Sequence, residues 1–104
     1  MATDYLPFKG FIDERPYPVS GLTSKLWLAI PIQKVVLKDL VLTQRGVFID
    51  PLFSNALSYS KDAFPHVIIW NNDFYLEDGH HRVVLAALKE QKTVLARVFK
   101  SLEN

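Results

Sequence analysis

Apolar and polar positions change rhythm several times along this 104-residue chain, and each change marks an element. Over residues 1–24, Pro7, Pro16 and Pro18 with Gly10 and Gly21 interrupt every period, while Tyr5, Phe8, Phe11 and Tyr17 supply scattered aromatic anchors. That texture predicts an extended N-terminal arm, ahead of a domain spanning 25–104. An aromatic arm either lies over its own domain or straps a second copy or a partner. From Leu26 the text becomes β-branched and aromatic, predicting a strand near Ile32 to Leu37, with Pro31 marking an edge or a strand start. A short strand or turn follows at Leu40 to Leu42, then irregular chain to Pro51, then a short helix carrying Leu52, Phe53, Ala56 and Leu57 on one side. That helix ends before Pro65, because the residue preceding a proline avoids the α region.

The last forty residues carry the clearest pattern. His66 to Trp70 reads as a strand, Asn71 and Asn72 are residue types that tolerate left-handed backbone, and Phe74 to Leu76 reads as the returning strand of a β-hairpin. Asp78 then offers an N-cap side chain and Gly79 a sharp turn. His80 to Gln91 supplies a helix whose predicted apolar stripe is Val84, Leu85 and Leu88, with Val83 and Ala87 beside it. Residues 93–99 alternate as a final strand, with Val94, Ala96 and Val98 on one face and Leu95, Arg97 and Phe99 on the other.

Composition narrows the function classes. Hydrophobic residues make up 49% of the chain, enough for one small core. Twelve Lys and Arg against eleven Asp and Glu leave a formal charge of +1, so there is no global basic field to attract nucleic acid or anionic lipid. DNA is therefore expected to bind weakly if at all. The absence of cysteine removes disulfides, thiolate zinc sites and a cysteine nucleophile together. No apolar run approaches a membrane span, and the N-terminal residues lack the order of a signal peptide, so a cytoplasmic domain is the expectation.

The candidate chemistry gathers at Asp78-Gly79-His80-His81-Arg82, where a strand hands over to a helix. The first turn of a helix presents unpaired N–H groups and the positive end of the helix dipole, which together hold an anion. Gly79 would let a phosphate approach the backbone, with Arg82 and the imidazoles of His80 and His81 adding donors. The ordinary reading of the same residues is a helix cap, a turn glycine and two exposed polar side chains. Adjacent histidines point about 100° apart on a helix and do not share one metal ion well. Glu77 and Asp78 are neighbouring carboxylates that suit Mg²⁺ only if strand geometry does not send them apart. His81 is the candidate general acid or base, assisted by Asp78. His66 is expected at the surface.

Residues 74–88 followed by 92–98 resemble the ParB/sulfiredoxin superfamily, in which a strand runs into a phosphate-binding G-x-x-R turn, an alanine- and leucine-rich helix and a further strand. Ile30 to Leu40 is similar to that family's opening strand and turn, and the resemblance covers roughly residues 28–99. It implies a small α/β (α+β) domain, a mixed sheet with a few short helices, in which Gly79 and Arg82 match the family's glycine and arginine. It further implies a nucleoside triphosphate ligand with Mg²⁺, and an origin in a phage or mobile element. His80 stands where sulfiredoxins carry their catalytic cysteine, so that reductase activity is excluded. Three functions follow in order: a stand-alone nucleotide- or phosphate-binding domain, a small module that binds a protein partner or itself through the arm, Trp27 or Trp70, and a metal-dependent nuclease.

Overall fold

The hairpin organises the molecule. In the computed structural model, which describes residues 7–12, 14–43 and 63–101, β4 (His66–Trp70) turns through Asn71 and Asn72, at φ 50° and 68°, into β5 (Asp73–Asp78). Two consecutive left-handed residues make the tight turn whose twist matches that of the paired strands. The predicted irregular stretch before Pro51 and the helix after it fall on 44–62, outside the described residues.

Around this hairpin are β1 (Gly10–Phe11), α1 (Ser24–Trp27), β2 (Ile32–Val36), a single 3₁₀ turn (Leu37–Asp39), β3 (Leu40–Leu42), α2 (His80–Leu88) and β6 (Thr93–Lys100). The strands form one mixed six-stranded sheet in the order β1-β3-β5-β4-β6-β2. β1, β3 and β5 run parallel, β4 is antiparallel to β5 and parallel to β6, and β2 closes the far side antiparallel to β6. The result is a small α+β domain, as the sequence predicts.

Alternation along the strands divides the core in two. On one face, Leu42, Leu76, Val67, Val98, Ala96 and Val35 lie under α2. On the other, Ile68, Tyr75 and Phe99 are covered by the N-terminal segment through Tyr17, Leu22 and Trp27. Each large apolar side chain taken out of water this way contributes roughly 1.5–3 kcal/mol. The described arm aromatics are therefore spent on the protein's own sheet: Tyr17 is buried, as is Trp27 beyond the arm, and Phe8 and Phe11 pack against the first cluster. Neither Tyr17 nor Trp27 is left to grip a partner.

Three expectations need correction here. His66 is buried, not at the surface, with its ring stacked on Trp27 at 4.1 Å between centroids and 6° between planes. The helix stripe is also displaced: His80, Val83 and Val84 are buried, with Ala87 packed against the core, while Leu85 and Leu88 are 39% and 62% exposed. Positions 80, 83, 84 and 87 obey the helical period, so the stripe starts on a histidine, which reads as polar in a sequence. Finally, α2 stops at Leu88 because Glu90 turns left-handed (φ 62°), with Glu90 N–H donating to the Ala87 carbonyl and Gln91 N–H to that of Ala86. This is a Schellman closure made without glycine.

Candidate functional site

The 77–82 segment is built from the end of β5 and the first turn of α2, and the side chains of Glu77, Asp78 and His80 are committed to the fold. Glu77 and Asp78 leave the strand on opposite faces, as alternation requires. The Glu77 carboxylate turns toward the arm, where its Oε1 accepts from the Tyr17 hydroxyl at 2.5 Å and from Arg15 Nε at 2.9 Å. Arg15 also donates to the Glu77 backbone carbonyl. Burial, then the hydrogen bond to Glu77, pushes the Tyr17 phenol far above its usual range, so it stays a donor.

Asp78 does not cap the helix. Its Oδ1 accepts from the adjacent Gly79 N–H at 2.8 Å, and the N-cap position is Gly79 itself, without a side-chain cap. Gly79 sits at φ 90°, and a Cβ placed there would lie 2.8 Å from Pro65 Cα. The close backbone approach that the glycine permits is thus made by Pro65. A β-carbon would meet both a conformational penalty and a steric one.

His80 is buried, and its Nε2 accepts from the Thr43 backbone N–H at 2.9 Å. The Thr43 hydroxyl donates to the Leu76 carbonyl at 2.7 Å, so the three groups tie the end of β3 to β5 and to α2. An accepting Nε2 places the ring proton on Nδ1, which is buried without a partner. Burial, with a smaller contribution from Arg15, lowers the His80 pKa from 6.5 to about 3. The ring is neutral at physiological pH and adds no positive charge to the turn. His81 is also buried in the first turn, while Arg82 is half-buried. Among the described residues, no group of three or more His, Asp or Glu side chains is placed to hold a metal ion.

The groups left unspent lie elsewhere. A groove of about 380 Å³ opens between Val36, Leu37 and Lys38 on one side and Ala87, Glu90 and Lys92 on the other. Beside it runs the outer edge of β2, where Ile32 and Val36 are 40% and 41% exposed, with Leu95 of β6 52% exposed next to them. Sequence reasoning marked this strand as an edge or a strand start through Pro31 but assigned it no function; a further signal is Lys34 in the middle of the strand.

No helix among the described residues is long and apolar enough to cross a membrane. No curated protein and no solved structure matches the chain. A family model described as Antitoxin VapB-like matches residues 6–102, nearly the whole sequence. That match overturns the ParB/sulfiredoxin resemblance, and with it the nucleotide-binding function drawn from it. Within the G-x-x-R spacing, the glycine has a structural reason of its own in its close approach to Pro65. The chain belongs to the VapB-like antitoxin family.

Proposed function

We propose that this protein is an antitoxin, which binds a toxin protein and holds it inactive. The observation that carries the reading is the family match across residues 6–102. The geometry supports a protein-interaction role. Glu77, Asp78, Gly79 and His80 are engaged in internal contacts, whereas Ile32, Val36 and Leu95 remain in water on one face of the sheet. Apolar side chains clustered at a surface suit burial against another protein.

The test is co-expression with the product of the gene adjoining this chain's, taken as the candidate toxin. The toxin alone should arrest growth, and this chain should restore it and co-purify with the toxin in a defined ratio. Growth arrest that persists with this chain folded and abundant contradicts the reading.

A further inference from the structure

We infer that β2 is a docking edge for an extended segment of the toxin, which adds as a seventh strand with a carboxylate facing Lys34. The inference rests on the antitoxin reading and specifies where and how the partner is held.

The backbone supplies the first part of the argument. β2 ends the sheet order, so among the described residues no strand pairs with its outer side. The hydrogen-bond phase of that edge follows from its neighbours. Arg97 N–H donates toward β4, to the Pro65 carbonyl, so the Ile32–Arg97 pair across β2 and β6 is a non-hydrogen-bonded one. Antiparallel pairs alternate, so Gln33 and Val35 bond to β6, while Ile32, Lys34 and Val36 turn their N–H and C=O groups outward. The Leu37 N–H donating to the Lys92 carbonyl continues the same phase. Three donors and three acceptors therefore line an open edge, the arrangement that an added strand satisfies.

Side chains choose the occupant. Ile32, Lys34 and Val36 project from one face and are exposed, with Leu95 opposite Lys34. Lys34, Lys38 and Lys92 form no ion pair with a described residue. A second copy pairing over the full length of β2 about a two-fold axis would place Lys34 against Lys34 of the other copy, at the roughly 5 Å spacing where like charges destabilise a sheet. The edge is thus built against its own kind. A foreign strand with an acidic residue flanked two positions away on each side by apolar ones fits instead. Its acid meets Lys34, and its apolar residues cover Ile32 and Val36. Val36 also lines the 380 Å³ groove, so the contact continues without a break into that hollow beside Lys38 and Lys92.

The test uses the full chain and the purified toxin from the co-expression assay. Val36 has φ −82° and an outward N–H, so Val36→Pro removes one edge donor without breaking an internal bond. Val36→Pro and Lys34→Glu should each weaken toxin binding about tenfold or more, with circular dichroism and melting unchanged. Amide exchange adds a readout independent of folding. In the complex, the Ile32, Lys34 and Val36 amides should become protected, while Gln33 and Val35 are protected already in the free protein. Wild-type binding with those three amides still exchanging, and both variants binding equally well, overturns the docking edge and leaves the antitoxin reading standing. A free chain that is dimeric, with the same three amides protected, overturns the choice of occupant. No binding by the wild type contradicts the antitoxin reading and removes this inference with it.

Discussion

The turn at 78–82 and the edge strand at 32–36 use similar raw material in opposite ways. At the turn, three features that suggest chemistry have an internal customer: Pro65 occupies the space beside Gly79, Thr43 takes the His80 nitrogen, and Gly79 takes the Asp78 carboxylate. At the edge, a plain run of Ile, Gln, Lys and Val leaves three N–H groups, three carbonyls, a lysine and two apolar side chains in water. Residue types that can do chemistry mark a site only when the fold has not already spent them. Substitutions at the turn should therefore act on stability, and those at the edge on partner binding.

The largest effect is expected from Gly79→Ala, which combines left-handed strain with a Cβ 2.8 Å from Pro65 Cα. A loss of about 3 kcal/mol in chemical denaturation is expected. A change within about 0.5 kcal/mol would mean that Pro65 and the turn relax freely.

Acidification comes next. His80 titrates near 6.5 when unfolded and near 3 when folded, so between those values the unfolded state binds a proton that the folded state does not. Stability is full above the higher value and falls as the pH drops toward the lower one, by about 1.4 kcal/mol per unit. Moving from pH 7 to pH 5 should cost on the order of 2 kcal/mol from this group. His80→Gln, which can still accept from the Thr43 N–H, should flatten the slope. An equally steep slope in that variant would place the acid sensitivity on another group.

Tyr17→Phe should be milder, near 1 kcal/mol, because Glu77 retains Arg15 when the phenol is lost. Glu90→Gly should work in the opposite sense, stabilising by roughly 0.5–1 kcal/mol, since glycine takes the left-handed Schellman position without strain. Thermal melts of both variants check the two signs. Val36→Pro should leave stability within about 0.5 kcal/mol of the wild type, and a larger loss would mean that the edge is part of the folded interior.

Much of the fold was legible where local chemistry decides it. Asn71-Asn72 between a β-branched run and an aromatic one announces the hairpin, and the strict alternation from Val94 to Phe99 gives the facing of β6 correctly. The displaced stripe of α2 was not legible, because a buried neutral histidine looks like a surface one until Thr43 is known to be its donor. Nor was β1, whose two residues become a strand only through parallel pairing with Val41 and Leu42, thirty-one positions away. The turn was found at its right place, but that Gly79 packs on Pro65 and that His80 accepts from Thr43 depends on long-range neighbours that no local pattern carries. Pro31 offered an edge or a strand start for β2, and only the strand order, which no local pattern carries, shows that β2 is an edge.

The decisive measurement is toxin affinity for the wild type, Arg82→Ala and Val36→Pro side by side. The account predicts tight binding by the wild type, the same affinity with Arg82→Ala, and an affinity about tenfold lower or worse with Val36→Pro. Absence of wild-type binding would contradict the antitoxin reading. Loss with Arg82→Ala and none with Val36→Pro would return the functional surface to the turn.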